Sequence, residues 1–155
     1  MGIFGTPTFD DAVLGRLERT RGLWRCSLAV DGLNLAPLAL PGSNREPDPA
    51  ALEAARQIVA SFAALKPDIQ RALFEHYEPY AGPVTDEDAA IDGTMLPSIS
   101  APEQVWAHVS LQSVAIIKLS AFITTEFVYT AAWDEDHMLG ARFQGGRFVE
   151  LCGSV

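Results

Sequence analysis

The sequence is poor in most of what would announce a chemistry. Cysteine occurs only as Cys26 and Cys152, too few for a disulfide framework, which predicts a reducing, cytoplasmic setting. Both alternate with apolar residues in strand-like runs, away from any helix N-terminus that would acidify a thiol. They read as small core residues and not as nucleophiles. There is no G-x-S-x-G elbow, no P-loop and no G-x-G-x-x-G, so the common signatures of a serine hydrolase, a nucleoside triphosphatase and a dinucleotide-binding fold are missing. No stretch approaches the roughly 18 apolar residues of a membrane helix. The opening MGIFGTPTFDDAV has no basic segment followed by an apolar one, so neither a membrane partner nor a secretory signal is expected.

Positive charge is also scarce: 11 Lys and Arg stand against 20 Asp and Glu, a formal net charge of −9. Between Arg71 and Lys118 there is no Lys or Arg, while Glu75, Glu78, Asp86, Glu87, Asp88, Asp92 and Glu103 all fall there. Such a surface repels a phosphate backbone, which argues against nucleic acid, and suits a basic protein partner or a cation.

What is present builds one domain. With 155 residues, 48% of them hydrophobic and 20% charged, the chain is long enough for a single core spanning 1–155. Trp24, Cys26, Leu28 and Val30 recur at period two and predict a strand. Asp31-Gly32 supplies a tight turn, and Leu33 to Leu40 reads as the return strand. Pro37 has no amide to donate and predicts that this return strand lies at a sheet edge, the one feature that would favour an oligomer.

Asp48 followed by Pro49 opens a helix running to about Leu65, and a second is expected from Pro67 to about Tyr77, the two forming an antiparallel pair. Residues 81–101 are irregular, APEQVWAHV looks like a short helix, and Val109–Leu119 and Ala121–Trp133 read as strands. The first of these, with its VAII run, is expected to be buried on both faces. Leu139–Phe143 and Arg147–Cys152 make a terminal hairpin around Gln144-Gly145-Gly146. The fold expected is α+β, a mostly antiparallel, curved sheet packed against two helices.

The candidate site is the run Asp134, Glu135, Asp136, His137, read as the connection between two strands. Aspartates suit a turn because they accept hydrogen bonds from the following amides. The same residues offer oxygen ligands and one imidazole, so a small metal-assisted hydrolase using Asp134, Asp136 and His137, completed by His76 or His108, is the alternative. TDEDAAIDG resembles a calcium loop in composition but misses the register of the ligands. His76 reads as a surface helix histidine, and Trp24, Trp106 and Trp133 as core.

The order of these pieces, Leu14-Gly15, Trp24, LFEHYEPY at 73–80, APEQVW at 101–106, and a W-D-x-E-H, Leu-Gly, Gly-x-x-Val-x-x-x-Gly ending over Trp133 to Gly153, resembles a family of small bacterial domains of unknown function. Asp136 stands where that family usually has Glu. Families of this kind are associated with polymorphic-toxin systems as presumed immunity proteins, and the resemblance carries over no catalytic residues, metal or cofactor. It implies a non-enzymatic protein-binding module, an immunity-type inhibitor of a basic toxin. Its contact residues would be Asp86, Glu87 and Asp88 in one loop and Asp134, Glu135, Asp136 and His137 in another.

Overall fold

A computed structural model of the chain describes residues 5–31, 34–81 and 96–153. Asp86, Glu87 and Asp88 lie outside the described residues. Among those described, eight strands form one sheet in sequence order, with a single parallel join at its centre. β1 (Thr8–Asp11), β2 (Gly15–Thr20), β3 (Leu23–Asp31) and β4 (Asn34–Leu40) are one antiparallel meander; β5 (Val109–Leu119), β6 (Phe122–Ala131), β7 (Asp134–Gln144) and β8 (Arg147–Cys152) are the other. Between them runs α1 (Pro49–Tyr77), followed by a 3-10 turn at Glu78–Ala81 and a 3-10 helix at Pro102–His108. The sheet is thus mostly antiparallel and the domain α+β, as expected. Among the described residues no helix is long and apolar enough to cross a membrane.

The hairpins follow from local chemistry. The β7–β8 loop is Gly145-Gly146, at φ 58° and 78°, and Gln144 pairs with Arg147 on either side of it. Both loop residues need positive φ in a two-residue turn of this hand, which glycine adopts without steric cost. In β3, Trp24, Leu28 and Val30 are buried on one face and Ser27 is exposed on the other, the period-two pattern of a half-buried strand.

Three expectations change. The helices expected at 49–65 and 67–77 are both helical, but they join into one 29-residue helix and do not fold back on each other. Pro67 removes a single hydrogen bond, the one its missing amide would give to Ala63. The stripe Ala55, Ile58, Phe62, Leu65, Ile69, Leu73 and Tyr77 continues across it, all buried, and burial worth roughly 1.5–3 kcal/mol per large side chain outweighs that loss. At about 1.5 Å per residue the helix is roughly 40 Å long, enough to cross the sheet from β3 to β8.

Pro37 is not on an edge: β4 lies between β3 and β5, and β1 and β8 form the edges. Its register with β5 is limited to Leu38 with Val114 and Ala39 with Ala115, so the proline falls just outside that ladder, where no donor is needed.

β6, and not β5, is the strand buried on both faces. Phe127, Tyr129 and Ala131 face the helix, while Thr124, Glu126 and Val128 are buried on the opposite side. Arg142 from β7 covers Glu126 with a 2.6 Å bond, and Gln144 donates to Thr124 at 2.9 Å. That second buried face is polar and internally satisfied, so hydropathy does not reveal it.

Candidate functional site

β6 ends at Ala131, and the connection to β7 is only Ala132-Trp133, since Ala131 pairs directly with Asp134. Asp134 is therefore the first residue of a strand and not part of a connecting loop. The next pair is Tyr129 with Leu139, so Glu135, Asp136, His137 and Met138 together stand opposite the single residue Thr130. This is a large bulge. An insertion of this kind leaves its extra residues unpaired and turns their side chains away from the ladder. Glu135, Asp136, His137 and Met138 are all exposed, whereas Trp133 and Asp134 before them are buried.

The C-terminal end of α1 closes over this bulge. Trp133 donates from Nε1 to His76 Nδ1 at 3.0 Å, and its ring meets Tyr77 edge-on at 5.5 Å. The Tyr77 hydroxyl donates to the Pro97 carbonyl at 2.7 Å and accepts from the Ile99 amide at 3.1 Å, which ties the chain after residue 95 to the same place. Tyr80, on the 3-10 turn, lies with its ring tilted 5.6 Å from His76 and donates its hydroxyl to Asp134 Oδ2 at 3.1 Å. Asp134 Oδ1 lies 2.9 Å from His137 Nδ1. Both oxygens of a buried carboxylate are thus partnered, the condition under which a charge is tolerated at low exposure.

These contacts set proton affinities in opposite senses. Burial is the main influence on His76 and lowers its pKa, with His137 adding to the effect and Asp134 opposing it. His137 is raised, chiefly by its hydrogen bond to Asp134 and secondarily by that carboxylate's charge and by Asp136. For Asp134, burial pushes the carboxyl up, but the hydrogen bonds from His137 and Tyr80 outweigh it and hold the pKa below the ordinary carboxylate value. The Tyr80 phenol is raised by desolvation and by its bond to Asp134.

The sequence-designated residues therefore separate. Asp134 and His137 form a pair; Glu135 and Asp136 sit beside them on the bulge; His76 joins the cluster through Trp133 and not through a shared ligand position. His108 approaches only through its backbone, accepting from the Ala132 amide at 2.9 Å, and borders an open depression of about 440 Å³ with Asp134 and Glu135. Among the described residues no group of three or more His, Cys, Asp or Glu side chains is spaced to hold a metal ion. The Cys26 thiol is pushed up by burial and secondarily by Asp11, which disfavours the nucleophilic thiolate.

Sequence reasoning missed two participants. Tyr80, in the quoted LFEHYEPY run, was given no part in the site, and the pairing of His76 with Trp133 spans 57 positions with no local signal. Trp24 and Trp133 are core, as expected, with 0% and 3% exposure; Trp106 is half-buried, donating to Gln70 Oε1 at 2.7 Å with Lys66 over its ring.

No curated protein and no solved structure matches the chain. The model of one family, a domain of unknown function (DUF6985), matches residues 14–154, which takes in everything from the start of β2 through β8, including the whole of the His76–Trp133–Asp134 cluster. The chain belongs to that family.

Proposed function

We propose that this domain is a non-enzymatic protein-binding module whose acidic face engages the basic site of a protein partner, in the manner of an immunity-type inhibitor. The observation that carries the reading is the β7 bulge. Glu135 and Asp136 project from it beside exposed Met138 and exposed Tyr80, while the buried Trp133 and Asp134 beneath hold its base in place. Charged groups at a rim steer the encounter, and an aromatic ring and a thioether beside them supply apolar contact area. The net charge of −9 favours a cationic partner at long range.

The test is a pull-down with the tagged full chain from lysate of its own cells, at low and high salt, beside a Glu135→Gln/Asp136→Asn variant and a Tyr80→Ala variant. A basic protein retained by the parent at low salt, released at high salt and lost with the first variant is the expected result. With the partner in hand, neutralising Asp86, Glu87 and Asp88 should slow association and flatten its salt dependence. The reading fails if no salt-sensitive partner is retained, or if the Glu135→Gln/Asp136→Asn variant holds the partner as well as the parent does.

A further inference from the structure

Among the described residues, the end of α1 is fastened to the β6–β7 connection by a polar contact between side chains whose donor roles are fixed. An indole N–H can only donate. Trp133 Nε1 stands 3.0 Å from His76 Nδ1, so Nδ1 is the bare, accepting nitrogen and the neutral ring carries its proton on Nε2. A second proton makes both ring nitrogens donors and sets an N–H against the indole N–H. We propose that His76 and Trp133 form a proton-released latch, in which protonation of His76 at Nδ1 breaks the indole hydrogen bond between the end of α1 and the β6–β7 connection and leaves the bond from Tyr80 to Asp134 to hold the Glu78–Ala81 turn there.

Among the described residues, the surroundings of His76 offer its protonated ring no substitute partner. The titratable groups facing it, among the described residues, are Tyr80 from the 3-10 turn and Asp134 and His137 from β7. Asp134 is the only one that would welcome a cation, and its two oxygens are already taken by Tyr80 and His137. His137, itself drawn toward the charged form, repels a second positive charge. The Tyr77 hydroxyl is committed to Pro97 and Ile99, and Glu75 and Glu78, neighbours of His76 in the chain, are exposed. Tyr80 sits on one side of the latch and the Glu135–Met138 bulge on the other, so release leaves the bond from Tyr80 to Asp134 alone to fix the spacing of the contact face. That consequence rests on the binding role proposed above, whereas the latch itself needs no partner.

Amide and indole nitrogen spectra of the full chain, taken across about pH 5 to 8, test it. Trp133→Phe identifies the Trp133 indole signal among those of Trp24 and Trp106. In the parent, that signal is expected to shift with the same midpoint as the His76 ring, below the ordinary histidine value of about 6.5. In His76→Gln, the amide oxygen accepts from the indole without titrating, so the Trp133 signal should stay flat across the range. In Trp133→Phe, the neutral ring loses its donor and the His76 midpoint should move up toward the ordinary value. His137→Gln should keep the Trp133 transition. The latch is refuted if the Trp133 signal stays flat while His76 titrates, if it titrates unchanged in His76→Gln, or if Trp133→Phe leaves the His76 midpoint where it was. The parent and Trp133→Phe arms decide the matter even if the glutamine variant folds poorly. Failure to find a partner would leave all these signals as they are.

Discussion

The two ends of α1 are held by different chemistry. At the N-terminal end, Asp48 caps the helix by accepting from the Ala51 amide at 3.0 Å and pairs with Lys118, and Arg56 reaches Asp11 with contacts of 2.8 and 2.6 Å. Asp11, its side chain 1% exposed, also accepts from the Val13 and Leu14 amides. The Arg56 hydrogen bond holds the Asp11 carboxyl below its ordinary pKa, the Ala51 amide does the same for Asp48, and Asp11 in turn raises Arg56. Asp11, Asp48 and Arg56 therefore stay ionised across the neutral range. At the C-terminal end the anchor is His76, bonded to Trp133, with His137 close by; burial lowers the pKa of the first and the hydrogen bond to Asp134 raises that of the second. The same helix therefore has a joint indifferent to protons at one end and responsive to them at the other, and only the second lies next to the exposed bulge.

The largest effect expected from breaking this comparison comes from Trp133, 3% exposed and packed on Tyr77. Trp133→Ala removes a large buried side chain and should cost about 3–5 kcal/mol in urea-induced unfolding. A loss under about 1 kcal/mol would mean that the cluster is decoration on an already rigid turn. At the other end, Asp11→Ala should cost about 2–3 kcal/mol through lost bonds from two amides and a guanidinium, moderated because Arg56 keeps access to water. This cost should be the same at pH 5.5 and pH 8 (roughly the limits between which histidine changes charge). A clear pH dependence there would erase the distinction between the ends.

How much of this was legible beforehand depended on whether the signal was local. The β3 strand, the Gly145-Gly146 hairpin and the Asp48-Pro49 helix start are written in spacing and turn chemistry, and each stands where expected. The β1–β2 hairpin left little trace, because the β2 stretch GRLERT has one apolar residue, Leu17, and a single buried position makes no period. Pro67 and Pro37 were both over-interpreted. Each removes one hydrogen bond, and in each case the surroundings made that bond dispensable: a continuous apolar stripe in α1, and a parallel ladder too short to reach Pro37. At the site, Asp134, Glu135, Asp136 and His137 stood out as residues, but the bulge that exposes three of them and buries the first is a matter of register. Register across β6 and β7 is set by which side chains reach the core, Tyr129 opposite Leu139, and is not readable from the four residues themselves.

The finest test separates the two histidines by the sign of their pH dependence. His76 has its pKa lowered in the folded chain, mainly by burial, so its stabilisation is full above the unfolded value of about 6.5 and is lost as pH falls through the folded value. His137 has its pKa raised, mainly by the hydrogen bond to Asp134, so its stabilisation is full below about 6.5 and is lost as pH rises through the folded value. Asp134, held low, contributes across this whole range and loses its contribution only in stronger acid. Urea midpoints measured between about pH 5 and 8 should therefore pass through a maximum. His76→Gln should remove the acid-side decline and keep the alkaline one; His137→Gln should do the reverse, and by less, since that side chain is 53% exposed and solvent screens its pairing with Asp134. If both substitutions flatten the same side, the two rings act as one coupled site, and the division of labour drawn here between a neutral latch and a charged neighbour is wrong.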